Sequence, residues 1–330
     1  MFTFPTTEKK ISTGEKLDLS VIIPTYNEAE NIPLMANSLL NVLSGMNFEH
    51  GFEIIFIDDG SKDGSADVLK DLAQKNERIK AIKFRRNYGQ TAAMAAGFDY
   101  ASGDIIISMD GDLQNDPVDI PRLLEKLNEG YDVVSGWRKD RQDDLISRKI
   151  PSMIANKLIG ALTGVRLHDY GCSLKAYTSE IAKEVSLYGE LHRFIPALAS
   201  IEGGSIAEIP VTHHARQFGK SKYNIKRTFK VILDLLTVVF LRKFMTRPLH
   251  VFGRMGLASL LAGILTSTYL VYEKLFVGEN IGSRPLLLLG ILLIITGIQL
   301  ISTGIIAEIA IRTYFESQGK AIYKIKEVYT

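Results

Sequence analysis

The sequence predicts an α/β protein: a mainly parallel, doubly wound sheet over residues 18–221, then an amphipathic interfacial helix at 222–247 and a two-helix transmembrane hairpin within 248–312. Three observations predict it. Short runs rich in Ile, Val and Phe alternate with helix-length segments from Asp18 to about Val211; two long C-terminal stretches carry no charge; and a basic segment with helical apolar spacing lies between these regions. Residues 1–17 are polar, carry Lys9, Lys10 and Lys16, and lack the apolar stretch of a signal peptide, which predicts a loose N-terminal tail. Residues 313–330 are expected to form a C-terminal tail.

Within the sheet region, strands are predicted at Leu19–Pro24, Phe52–Asp58, Ile79–Arg85, Asp104–Asp110 and Asp132–Gly136, each bounded by turn residues. Helices fit between them at Ile32–Leu43, Ser65–Asn76, Thr91–Ala101 and Pro117–Asn128, the last with Pro117 in its first turn and Gly130 beyond its end. Parallel strands joined by helices place a ligand site beyond the strands' carboxyl ends.

Met255–Tyr272 runs for about 18 residues without a charge and Pro285–Ala307 for about 23, and roughly 20 residues cross a bilayer as helix. Spans are therefore expected at about 251–273 and 285–310. Their small residues, among them Gly256, Gly263, Gly290 and Gly297, suit close helix packing in lipid and would permit a homo-oligomer such as a tetramer. Arg242, Lys243, Arg247 and Arg254 precede the first span, and Arg312, Lys320, Lys324 and Lys326 follow the second. Both termini and the sheet domain are thus expected on the cytoplasmic face of the inner membrane. Ile225, Phe229, Ile232, Leu233, Leu236, Val239 and Phe240 form the apolar face of the intervening helix, with Lys222, Lys226, Arg227 and Lys230 mostly off it, as for a helix lying among lipid headgroups.

Composition excludes several functions. With 39 Lys+Arg against 37 Asp+Glu and a net charge of +2, the chain lacks the basic excess of a dedicated nucleic-acid binder. One cysteine, Cys172, forms no internal disulfide, and His168, His192, His213 and His214 have no metal-site spacing. No G-x-G-x-x-G follows the first strand, and His214 stands where a P-loop leading to Gly219-Lys220-Ser221 needs its first glycine.

Acids dominate the strand ends: Pro24-Thr25-Tyr26-Asn27-Glu28, then Asp58-Asp59-Gly60-Ser61, then Asp110-Gly111-Asp112-Leu113-Gln114. An acid-lined site that holds a phosphorylated ligand needs a cation between the two, and oxygen ligands at i, i+2 and i+4 make Asp110, Asp112 and Gln114 candidates for Mg²⁺ or Mn²⁺. A lone D-x-D also describes a solvated turn; this one closes the apolar run Ile105–Met109 and has two companion motifs.

With these motifs, Leu19 to about Tyr223 resembles glycosyltransferase family 2, whose nucleotide-sugar domain has the GT-A fold. Arg216-Gln217-Phe218-Gly219-Lys220-Ser221-Lys222-Tyr223 and the two spans narrow the resemblance to polyprenyl-phosphate glycosyltransferases of the dolichyl-phosphate mannose synthase and bactoprenol glucosyltransferase type. The resemblance implies that Pro24, Tyr26, Glu28 and Asp59 contact the donor nucleoside, with Ile57 and Gly111 adding backbone or packing contacts. It implies that Asp110, Asp112 and Gln114 hold the metal under the diphosphate, that Arg138, Arg148 and Ser152 bind the acceptor phosphate, and that Arg216 closes over the phosphates. Asp169 matches the place of an acid facing the acceptor. Independently, Arg148 and Ser152 are four apart and share a helix face.

The activity so implied is metal-dependent, inverting, single-displacement transfer of glucose from UDP-glucose to undecaprenyl phosphate, giving a lipid-linked sugar donor for cell-envelope glycosylation. A phosphate monoester is already largely ionised at neutral pH, so no strong base is required. Tyr88-Gly89-Gln90 and Gln217–Lys222 are candidate lids, and Trp137 is expected in the core. Two other functions are compatible with the fold. A processive polysaccharide synthase would carry a Q-x-x-R-W motif, and the single tryptophan, Trp137, lacks that context. A non-catalytic nucleotide-sugar-binding scaffold would not need Asp110, Asp112, Gln114 and Arg148.

Overall fold

A computed structural model describes residues 17–139, 156, 159–161, 163–187, 191–215, 248–282, 284–316 and 325–329. The chain divides into two units, Met1–Val239 with Ala321–Thr330, and Phe240–Lys320. The predicted interfacial helix, like Arg148, Ser152, Arg216 and the Gln217–Lys222 segment, lies outside the described residues.

The first unit is built on an eight-stranded sheet, in the order β7-β5-β6-β4-β1-β2-β3-β8. Its strands are β1 (Leu17–Thr25), β2 (Phe52–Asp58), β3 (Ile79–Phe84), β4 (Gly103–Ser108), β5 (Val133–Trp137), β6 (Lys175–Thr178), β7 (Ile206–Pro210) and β8 (Ile325–Tyr329). β1 to β4 are parallel to one another, β5 pairs β7 in parallel, and β6 and β8 run antiparallel to the strands they join. The helices are α1 (Asn31–Ser44), α2 (Ser65–Lys75), α3 (Gln90–Tyr100), a 3₁₀ turn Pro117–Asp119 leading into α4 (Ile120–Asn128), α5 (Ser179–Glu184) and α6 (Ile195–Ile201).

Burial explains the pattern. β2 is buried at every position, as expected of a central parallel strand covered on both faces. Of its two acids, Glu53 accepts from the Ser20 hydroxyl at 2.6 Å and pairs with Lys80 at 2.7 Å, and Asp58 closes the strand. α1 buries Ile32, Met35, Ala36, Leu39 and Leu43, a single helical stripe. α3 lies so close to β1 that a Cβ on Gly97 would meet Ile22 Cδ1 at 2.8 Å. After β1 the chain builds β2 and β3 on one side and β4 on the other, which makes the β1/β4 boundary the switch point at which open α/β sheets bind ligands.

The expected tail at 313–330 is different in the structure, where residues 325–329 form β8 on β3, with Ile82 opposite Val328 and Ala81 opposite Tyr329. Only five residues long and mixed in polarity, β8 owes its conformation to the β3 edge that it covers.

The second unit holds two helices long and apolar enough to cross a membrane, α7 (Pro248–Tyr272) and α8 (Pro285–Glu316). A Cβ on Gly256 would meet Gly297 O at 2.7 Å, and one on Gly263 would meet Gly290 O at 2.8 Å. The small residues expected to suit close helix packing thus bring the two helices of the hairpin together at these points. Leu257, Leu261, Leu265, Leu288, Leu292 and Ile306 remain exposed.

Candidate active site

The turns after β1 and β2 are zipped together. Asn27 N donates to Ser61 Oγ at 2.8 Å, Lys62 N to Asn27 Oδ1 at 2.9 Å, and Glu28 N to Ser65 Oγ at 3.0 Å. Asn27 adopts φ +57°, a left-handed conformation that asparagine tolerates. Pro24, Tyr26 and Glu28 are half-buried along this seam, and Ile57 is fully buried beneath it with its carbonyl accepting from Thr25 Oγ1 at 3.2 Å. Asp59 is 4% exposed, and its carboxylate accepts from Tyr88 N at 2.6 Å and Gly89 N at 2.9 Å. Burial nonetheless raises its pKa above the ordinary aspartate value. The Tyr88–Gln90 segment, a candidate lid from sequence, is in this structure hydrogen-bonded to the strand-end acids.

The third turn follows β4. Gly111 lies close under β1, where a Cβ would meet Thr25 Cγ2 at 3.0 Å. Leu113 at φ +61° folds the turn back so that Gln114 N donates to Asp112 Oδ1 at 3.2 Å. Gln90 Nε2 donates to Asp110 Oδ1 at 2.7 Å, and Gln114 Nε2 donates to His214 O at 3.4 Å. Among the described residues Gln114 Oε1 accepts no hydrogen bond, so the turn presents two carboxylates and an amide oxygen. No group of three His, Cys, Asp or Glu side chains converges as a metal site among the described residues. Two carboxylates and an amide oxygen are hard donors compatible in type with Mg²⁺ or Mn²⁺, whose remaining positions substrate phosphates would have to fill.

Across β4 lies a charged network. Arg138, at the end of β5, forms a bidentate pair with Asp169, Nε to Oδ2 at 2.7 Å and Nη2 to Oδ1 at 3.0 Å. Asp169 N donates to Glu208 Oε1 on β7 at 3.0 Å, and the His168 ring pairs with Glu208 at 2.7 Å. Trp137, expected in the core, is half-buried and stacks on His168 with ring centroids 4.3 Å apart. The arginine and the acid that the sequence assigned to the acceptor side are therefore partners of each other.

The family model for "Glycosyl transferase family 2" matches residues 20–186, from β1 through all three acid turns and the Arg138–Asp169 pair. The chain belongs to glycosyltransferase family 2. A curated relative, the dodecaprenyl-phosphate galacturonate synthase of Rhizobium johnstonii, is 44% identical over 320 residues, covering 96% of this chain and 94% of its own. Among solved structures, mannosyl-3-phosphoglycerate synthase from Rubrobacter xylanophilus superposes with a TM-score of 0.52 at 14% identity over 68% of this chain and 74% of its own. Glucosyl-3-phosphoglycerate synthase from Mycobacterium tuberculosis, in complex with Mn²⁺, UDP and phosphoglyceric acid, gives 0.50 at 19% identity over 68% and 78%. At these identities the structures share the fold, GT-A.

This family 2 site also contains groups that motif reading missed. Lys175, the first residue of β6, sits opposite Ser108 of β4 and Ser135 of β5 and is 3% exposed. Its ammonium donates to Cys172 O. Burial drives the Lys175 pKa below the ordinary lysine range and pushes the Cys172 thiol up to about 11. Because the folded state binds the Lys175 proton less tightly than the unfolded chain, its contribution to stability rises with pH in the alkaline window below the usual lysine pKa of about 10.4. Lys175→Met is expected to remove that contribution: the stability difference between wild type and variant should shift toward wild type as pH rises. Urea unfolding followed by Trp137 fluorescence at several pH values measures it, and a pH-independent difference would refute it.

Proposed function

We propose that this enzyme transfers a sugar from a UDP-sugar to a polyprenyl phosphate at a membrane surface, and that the sugar is galacturonate. The observation that carries this reading is the likeness to the Rhizobium synthase over 96% of the chain, the C-terminal hairpin included. It replaces the glucose expected from sequence with a uronic acid as the favoured donor sugar. Undecaprenyl or dodecaprenyl phosphate is the acceptor, and the product is a lipid-linked sugar for envelope glycosylation.

The chemistry assigned to the site is a single displacement. An acceptor phosphate oxygen attacks the anomeric carbon, the bond from that carbon to the diphosphate breaks, and UDP leaves with the electron pair. A divalent cation held by Asp110, Asp112 and Gln114 supplies charge neutralisation for the leaving diphosphate. The β1 and β2 turns hold the nucleoside through Pro24, Tyr26, Glu28 and Asp59. Arg138, with Arg148, Ser152 and Arg216 from outside the described residues, receives the two phosphates. The fixed, bidentate Asp169 partner supports the role of Arg138, because it presents the guanidinium in one orientation.

Membrane insertion of α7 and α8 is supported by their length and exposed apolar faces. β8 supports placing both ends of the hairpin on one side of the membrane, since residues 325–329 join the same sheet as β1 to β7, and the basic residues that flank the spans favour the cytoplasmic side.

The test is transfer of labelled sugar from UDP-galacturonate, UDP-glucose and GDP-mannose to polyprenyl phosphate by the full chain in detergent, with Mn²⁺, Mg²⁺ or EDTA. A chloroform-soluble product of inverted anomeric configuration from UDP-galacturonate, lost with EDTA, is expected. A product from UDP-glucose alone would overturn the sugar assignment, and no lipid product from any donor, with nucleotide binding intact, would favour the non-catalytic scaffold.

A further inference from the structure

Four consecutive residues, Tyr88 to Thr91, hold three separate parts of the site. Tyr88 N and Gly89 N donate to the two oxygens of Asp59 at 2.6 and 2.9 Å. Gln90 Nε2 donates to Asp110 Oδ1 at 2.7 Å, and Thr91 Oγ1 lies 2.8 Å from His192 Nδ1. The chain just ahead of this run is pressed against the β2 turn, since a Cβ on Gly60 would meet Arg86 C at 2.5 Å and Asn87 N at 2.7 Å. Gly89 at φ +95° makes the bend that turns two successive amides toward one carboxylate before α3 begins.

This geometry gives Gln90 a role distinct from opening a helix. Its amide occupies one oxygen of Asp110, and the other, Oδ2, accepts no hydrogen bond among the described residues. Without that bond the Asp110 carboxylate, on a half-buried turn, could rotate among several rotamers, and a cation would have to restrict it on binding. We propose that Gln90 is a positioning residue for the divalent cation, fixing Asp110 so that Oδ2 is presented to the ion, and that the 88–91 strap links this metal side to the nucleoside side at Asp59. The inference rests on the metal reading of Asp110, Asp112 and Gln114, and it is independent of the sugar and of the lipid.

The experiment is titration of the full chain in detergent with Mn²⁺, read by the electron paramagnetic resonance of the free ion, with and without UDP, beside binding of UMP in EDTA. Gln90→Leu removes the donor at similar volume, Gln90→Glu places a like charge against Asp110, and Thr91→Val breaks the strap at a bond that does not involve Asp110. Removing a hydrogen-bond partner of a metal ligand costs 10- to 100-fold in affinity, so Gln90→Leu is expected to weaken Mn²⁺ binding with UDP by about tenfold or more. Gln90→Glu should do the same, UMP binding in EDTA should be unchanged, and Thr91→Val should keep the wild-type Mn²⁺ affinity. Unchanged Mn²⁺ affinity in both Gln90 variants would overturn the proposal, as would a joint loss of Mn²⁺ and UMP binding, which would mark the strap as purely structural. Failure of the wild type to bind Mn²⁺ with UDP would instead overturn the metal reading beneath it.

Discussion

Asp112→Ala is expected to lower sugar transfer by roughly a thousandfold, the scale seen when a group stabilising transition-state charge is removed. Two losses combine at this position. The carboxylate leaves the metal turn, and Gln114 N loses the Oδ1 acceptor 3.2 Å away that holds the turn folded. Asp112→Asn separates them, because the amide oxygen can still accept from Gln114 N while the charge is gone. At 7% exposed, Asp112 is held in place by its surroundings, so the asparagine should occupy the same position. If charge toward the cation is what matters, Asp112→Asn should be nearly as inactive as Asp112→Ala at saturating Mn²⁺ and should bind the ion more weakly. Initial rates across an Mn²⁺ titration, with Trp137 fluorescence to confirm folding, measure both. An asparagine variant that recovers the wild-type rate at high Mn²⁺ would show that the turn, and not the charge, is what transfer requires.

The acid turns were legible because each follows an apolar run whose strand character is local. Ile54-Ile55-Phe56-Ile57 can be little else than a buried strand, and a doubly wound sheet then places Asp59 and Asp110 at one rim. What escaped the sequence reading depends on distant partners. Lys175, at the start of a four-residue antiparallel strand, becomes a buried ammonium only because β4 and β5 close around it. Glu208 looks like a surface charge until β7 pairs with β5 and brings it to His168 and Asp169. β8 is separated from β3 by the whole hairpin, and no local pattern in Ile325–Tyr329 names its neighbour. The glycines of α7 and α8 show a close approach in sequence, and only the structure shows that each helix makes it to the other.

Arg138 and Asp169 should behave as one unit in a double-mutant cycle. Their side chains are 13% and 9% exposed, and removing one partner from such a buried pair leaves an uncompensated charge at a cost of about 3–5 kcal/mol. Arg138→Gln and Asp169→Asn are therefore expected to lower stability as well as transfer, and rates should be taken well below each variant's melting temperature. If Asp169 acts by orienting the guanidinium toward the acceptor phosphate, either substitution should raise the acceptor KM while leaving UMP binding intact. The double variant should then be little worse than the poorer single one, with a coupling energy of about 1–3 kcal/mol between the residues. A catalytic base predicts a different pattern: Asp169→Asn would depress kcat at unchanged acceptor KM, flatten the acidic limb of the pH–rate profile, and multiply with Arg138→Gln. Geometry favours the orienting pattern, because both Asp169 oxygens already accept from Arg138 and Oδ1 also accepts from Gly171 N at 3.0 Å, while an ionised acceptor phosphate has no proton that a base must remove.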